Sequence, residues 1–247
     1  MAPSTALSQG SAPIQRKQVA EDKTQPSHDT SQQQEDEFSM AQLWNGTGFI
    51  AQTAVVTFSL SLSGRLLARP LVLFSWHPLS QISGLFLLVQ SILALQPTHT
   101  AGQKRVGQAV HAYLNLASFA AFTAGFAAIY LNKERNGAEH FASLHGALGC
   151  ALTLLLWGQY LVGFTMWATP ALYGGAARAR ALWKWHRVGG YVNLLLLLTT
   201  FCTAADTGFV RNALKVESWV FYAPMALIAV GVLPRIHTYK LGFSKKA

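Results

Sequence analysis

Four histidines, His77, His111, His145 and His186, recur at intervals of 34, 34 and 41 residues. Imidazole binds metals and titrates near neutral pH, so it is the side chain to examine first. Each ring stands near the start of an apolar run, and each interval is long enough for one membrane crossing plus one connection. Consecutive crossings alternate in direction, which puts His77 and His145 toward one membrane face and His111 and His186 toward the other. A helix rises about 1.5 Å per residue through a slab roughly 30 Å thick, so rings one or two turns inside each face form layers roughly 15–20 Å apart. No single zinc ion, with bonds of about 2 Å, spans that gap. Two sites of two histidines remain. Paired imidazoles on alternate helices suit the axial positions of a haem iron, and with both positions filled the expected chemistry is electron transfer. Gly146, Gly149, Gly189 and Gly190 follow two of the rings and leave room for a flat macrocycle. Each ligand ring would still need an acceptor for its second nitrogen. A lone histidine at this depth can serve merely as an interfacial anchor; four at matching positions in consecutive helices require a common purpose.

The elements that would carry these rings are read from the apolar runs. Six crossings are expected, at about 44–62, 71–95, 108–131, 139–164, 185–205 and 219–233, the first rich in Thr and Ser that bond their own backbone. The second, Leu71 to Leu95, has no acid, Lys or Arg in twenty-five residues. Lys104 and Arg105 are placed in the connection before the third crossing. The longest connection is expected over 165–182, with Pro170, Gly174 and Gly175 as breakers. Residues 1–42, rich in Ser, Gln, Pro and charge, read as a disordered tail. Residues 43–237 read as the membrane domain and 238–247 as a short basic tail. The fold class is therefore all-α: an integral membrane six-helix bundle with a four-helix dihaem core.

Composition agrees with a bilayer protein. Of 247 residues, 51% are hydrophobic and 12% charged, against about 25% charged in soluble domains. The formal charge of +9 does not imply nucleic acid, because Lys and Arg cap apolar runs as the positive-inside rule describes. With six crossings both termini share a side. That side's connections and C-terminal tail hold ten Lys and Arg against six opposite, which places both termini in the cytoplasm and leaves the Asn45-Gly46-Thr47 sequon unglycosylated. No signal peptide is expected in the first forty residues. Cys150 and Cys202 lie inside apolar runs and read as free buried thiols.

Four motifs then coincide in order: Phe74-Ser75-Trp76-His77-Pro78, Lys104-Arg105 followed by Val110-His111-Ala112, Phe141-Ala142-Ser143-Leu144-His145-Gly146, and Trp185-His186-Arg187 with Gly189. Over roughly residues 45–237 the chain resembles the eukaryotic cytochrome b561 family of transmembrane ascorbate-dependent reductases, in its short branch without an extracellular domain. The resemblance implies two b-type haems per chain, held by His77 with His145 and by His111 with His186. It implies cytoplasmic ascorbate as donor, with Lys104, Arg105 and Arg187 near it. On the other side it implies monodehydroascorbate or a ferric chelate as acceptor, with His140 as a contact. A homodimer in an endomembrane or the plasma membrane is also implied. Asn115 departs from members that carry a second histidine four residues after the third-helix ligand. Two other readings stay open: a ferric reductase fed by another cytoplasmic donor, and a haem-free six-helix channel, transporter or scaffold.

Overall fold

The computed structural model describes residues 38–237 and Leu241. The described chain contains six α-helices: α1 (Gly48–Leu67), α2 (Trp76–Leu95), α3 (Ala101–Asn136), α4 (Leu144–Ala168), α5 (Ala176–Ala204) and α6 (Trp219–Val232). The first five are long and apolar enough to cross a membrane, α2 with the 3-10 turn Leu73–Ser75 ahead of it. The sixth has 14 residues and is continued by a 3-10 turn, Leu233–Arg235. Large apolar side chains such as Leu60, Leu154, Leu161 and Val230 point outward. A bilayer solvates such a surface, and helices satisfy their backbone polar groups within it. The protein is an all-α, multi-pass membrane bundle.

Several boundaries differ from expectation: α1 runs to Leu67, α2 begins at Trp76 and α3 runs to Asn136, and three further differences have an evident local reason. The third helix begins at Ala101, not near residue 108, so Lys104 and Arg105 lie on it. A reciprocal cap starts it: Thr100 Oγ1 accepts from the Gln103 N–H (3.2 Å) and Gln103 Oε1 accepts from the Thr100 N–H (3.3 Å). The fourth begins at Leu144, not near residue 139, because Ser143 caps it by accepting from the Gly146 N–H at 3.1 Å. The expected 165–182 loop shrinks to a turn. α4 continues to Ala168, a 3-10 turn spans Pro170–Tyr173, and Gly174 and Gly175 take positive φ. The Ala- and Arg-rich stretch after them has high helix propensity and starts α5.

Helices α2 and α3 pack along their length, α4 and α5 pair likewise, and the two pairs approach each other less closely. α1 lies against α2 and α6. Phe58 of α1 meets Phe201 and Phe221 edge-on at 5.8 and 5.5 Å, tying α1 to α5 and α6. Gln52 and Gln90 exchange two amide hydrogen bonds, 2.7 and 2.8 Å, between α1 and α2, so neither buries an unmet donor in the apolar slab. The entry to α1 meets the exit of α6: Thr47 Oγ1 donates to the Gly231 carbonyl at 2.9 Å. Of the expected N-terminal tail, residues 1–37 lie outside the described part. Met40–Trp44 forms a 3-10 turn with Leu43 buried. The expected C-terminal tail lies outside it except for Leu241.

Candidate functional site

The four histidines meet as two pairs. His77, in the first turn of α2, faces His145, in the first turn of α4, with ring centroids 6.2 Å apart. His111 of α3 faces His186 of α5 at 6.5 Å. Two metal–imidazole bonds of about 2 Å, plus roughly 1 Å from each ring nitrogen to its centre, require about 6 Å. The spacing therefore fits one metal atom between each pair of rings.

The second nitrogens are engaged as well. His77 Nδ1 donates to the Gly125 carbonyl (3.0 Å), His111 Nδ1 to the Ser91 carbonyl (3.0 Å) and His145 Nδ1 to the Thr200 carbonyl (3.1 Å). A carbonyl accepts only, so these three rings hold their proton on Nδ1 and keep the Nε2 lone pair for a ligand. His186 is the exception. Its Nδ1 lies 3.0 Å from the amide nitrogen of Gln159, which also donates to the His186 carbonyl at 2.7 Å. As placed, the amide donates to both atoms; a ligand on Nε2, which leaves the proton on Nδ1, would require a half-turn of the amide that brings Oε1 to Nδ1–H and gives up the bond to the His186 carbonyl.

The partners follow a rule that spacing of the histidines alone does not reveal. Ser91, Gly125, Gln159 and Thr200 each stand fourteen positions after a histidine on the same helix: His77, His111, His145 and His186 in turn. Fourteen residues make about four turns and about 21 Å of rise. Each helix thus offers a ring to one layer and a brace to the other, reciprocally within α2–α3 and within α4–α5. The layers lie about 21 Å apart along the helices. Four different residue types occupy that offset, and three of them act through a backbone carbonyl, so only the fold reveals it.

A cavity of about 460 Å³ opens at the His111/His186 layer, within the roughly 300–1,000 Å³ range of ligand sites. Both rings, Lys104, Arg187 and Gln159 line it. Arg105, exposed beside Lys104, does not. Gly163 permits the arrangement, since a Cβ there would lie 2.5 Å from His186 Cε1. Of the glycines expected to make room, Gly149 opens onto empty space, whereas Gly189 and Gly190 receive the Gln159 amide and Gly146 lies against the Ser143 cap. Phe119, Tyr160 and Phe164 stack along the α3–α4 side of the cavity, centroids 4.4 and 6.0 Å apart. Asn115 donates to Ser91 Oγ (2.9 Å) and to the His111 carbonyl (2.8 Å), a bracing position.

His140 lies at the other end, in the connection before α4. Its Nε2 meets Glu134 Oε1 at 2.8 Å and its ring lies 4.8 Å from Tyr130. The next residue, Phe141, takes φ 59°, a strained value for a bulky side chain. Among the described residues no three or more His, Cys, Asp or Glu side chains gather around one point. Each pair supplies two nitrogens, half of what a structural zinc takes.

Residues 76–211 match the eukaryotic cytochrome b561 family. The transmembrane ascorbate-dependent reductase CYB561 of Bos taurus is 29% identical over 97 residues, 39% of this chain and 38% of that protein. The lysosomal membrane ascorbate-dependent ferrireductase CYB561A3 of Bos taurus is 26% identical over 102 residues, 40% of this chain and 38% of that protein. The human transmembrane reductase CYB561D2 is 30% identical over 181 residues, 69% of this chain and 79% of that protein. The matches to the first two thus span well under half of those relatives, while the third is matched over most of its length. With the family pattern covering more than half of its residues, the chain belongs to the eukaryotic cytochrome b561 family.

Proposed function

We propose that the protein carries electrons across a membrane from ascorbate, on the side of the His111/His186 pair, to monodehydroascorbate or a ferric chelate on the side of the His77/His145 pair. Each pair would hold one b-type haem, two per chain, within a six-helix bundle that takes α6 as its last crossing. The observation that supports this reading most is the pair of ring separations, 6.2 and 6.5 Å, at two depths. A haem held between two such imidazoles would supply one-electron transfer rather than oxygen chemistry.

The chain's own residues would do the rest. Gly125, Ser91 and Thr200 hold three rings by their carbonyls, fixing tautomer and orientation. Lys104 and Arg187 at the cavity place positive charge where an ascorbate monoanion would approach. Arg105 is exposed next to them and would add to the field rather than contact the donor. His140, held by Glu134, would stand at the acceptor end. Ascorbate gives up a proton with its electron, so the donor site should lie open to water. The excess of Lys and Arg supports a cytoplasmic donor side, with both termini there. The working unit would be residues 43–237, flanked by the 1–42 and 238–247 tails.

The name of the human relative specifies a reductase without a donor, which favours keeping a second reading in which another cytoplasmic reductant feeds the same pairs. One experiment tests both. A reduced-minus-oxidised visible spectrum of the detergent-purified protein should show sharp low-spin b-type bands and two haems per chain, developed by ascorbate. The same bands developed by another reductant but not by ascorbate would select the second reading. No haem after expression with adequate supply would reject both.

A further inference from the structure

Arg235 is the one charged side chain among the buried described residues, 3% exposed at the end of α6. Two backbone carbonyls hold it: Nη1 donates to Asn45 at 2.5 Å and Nη2 to Gln42 at 3.3 Å. Its Nε is buried and has no partner. Gly48 leaves room beside it, because a Cβ there would come within 2.5 Å of both Nη1 and the Leu43 carbonyl oxygen. No carboxylate answers it: the ion pairs among the described residues are His140 with Glu134 and Arg211 with Asp206. A guanidinium carries five N–H donors, and a buried one is retained when something anionic compensates it.

The residue lines the same 460 Å³ cavity as His111 and His186. Among the described residues that lining includes Lys104, Arg187 and Arg235 but no Asp or Glu. We infer that Arg235 is the inner anion anchor of this cavity and binds an oxyanion that enters it. The oxyanion is a carboxylate of the prosthetic group or the enolate of the reductant, both of which a guanidinium pairs well. Fixed by Gln42, Asn45 and Gly48, the cation needs little ordering when the anion arrives. Sequence spacing did not single it out, since Arg235 follows Pro234 in what reads as the edge of a basic tail.

The inference rests on the electron-transfer reading, and its test separates the two. Full-length wild type, R235Q and R235K are purified in detergent and checked for equal helix content and monodispersity. Haem content, both midpoint potentials and the ascorbate concentration for half-maximal reduction rate are measured. The melting temperature is also followed with added ascorbate and with uncharged dehydroascorbate. A fall of one potential in R235Q, the other unchanged, identifies the anion as the carboxylate of the prosthetic group, because lost positive charge favours the ferric state. A roughly tenfold rise in the ascorbate required, with both potentials unchanged, identifies it as the reductant. Equal potentials, equal ascorbate dependence and equal ascorbate-induced melting shifts in folded R235Q overturn the inference. Should R235Q fail to fold, R235K decides: it keeps the charge but loses the planar fork, and a shift in one potential or a severalfold shift in ascorbate dependence is expected. No shift in R235K rejects the anchor. If wild type carries no haem, the proposed function fails, and the melting shift alone judges Arg235.

Discussion

At the scale of single residues, the contrast between His186 and the other three rings has a chemical consequence. A backbone carbonyl cannot be replaced by substitution, but Gln159 can. An acceptor on Nδ1–H makes imidazole a more basic ligand and favours the oxidised metal. Replacing Gln159 by Glu should therefore lower the midpoint potential of one haem, and Gln159→Leu should raise it, with the other haem unmoved. The scale is about 59 mV per tenfold change in the balance of the two oxidation states. Redox titration of the two variants checks the opposite signs; shifts of the same sign, or of both haems, would remove Gln159 from this role. His186→Ala, by contrast, should reduce haem from two per chain to one and abolish rapid reduction by ascorbate. Full activity in that variant would sink the ligand assignment. Lys104→Ala should raise the ascorbate concentration required while both haems stay bound, since Lys104 lines the cavity but is not one of the four paired rings.

At the scale of helices, the site depends on how closely α4 approaches the ring carried by α5. Gly163 is the contact, and any Cβ there meets His186. Gly163→Ala should displace the ring and empty the His111/His186 layer while the His77/His145 haem stays at full occupancy. The haem-to-protein ratio, with the two haems distinguished by potential, measures this, and equal loss from both layers would point to general unfolding instead. The same helices show what the sequence could tell. Pairing of His77 with His145 and of His111 with His186 was legible, because alternating crossings leave no other arrangement by depth. The start of α3 was not, although its Thr100–Gln103 cap is a recognisable pattern. Lys104 and Arg105 read as a polar connection, and local charge outweighed the cap signal. Likewise Gly174 and Gly175 marked a turn correctly, but the Arg residues after them made a helical stretch look like loop. The Nδ1 partners were illegible for a different reason: three of the four are backbone carbonyls, which carry no side-chain signature.

At the scale of the whole molecule, the arrangement of the ends of α1 and α6 would set the direction of the proposed electron transfer. Thr47 bonds the Gly231 carbonyl, and Arg235 reaches back to Gln42 and Asn45, so the entry to α1 and the exit of α6 meet at the end of the bundle that holds the His111/His186 cavity. The contacts Phe74 to Phe209, at 4.6 Å, and Arg69 to the Ala213 carbonyl belong to the opposite end, with His77 and His145. Whichever membrane face the entry to α1 and the exit of α6 occupy, the cavity lies toward that face. Orientation and donor side are therefore one question, answered by one pair of measurements. Epitope tags on the N- and C-termini should both resist protease in sealed cells and be cut only after permeabilisation, in keeping with ten Lys and Arg on that side against six. In vesicles with the same orientation, ascorbate on the side of the tags should reduce the protein quickly, and ascorbate confined to the other side slowly. Fast reduction from the side away from the tags would place the donor site at the His77/His145 end. It would leave the cavity, with its Lys104, Arg187 and Arg235, to serve the acceptor instead.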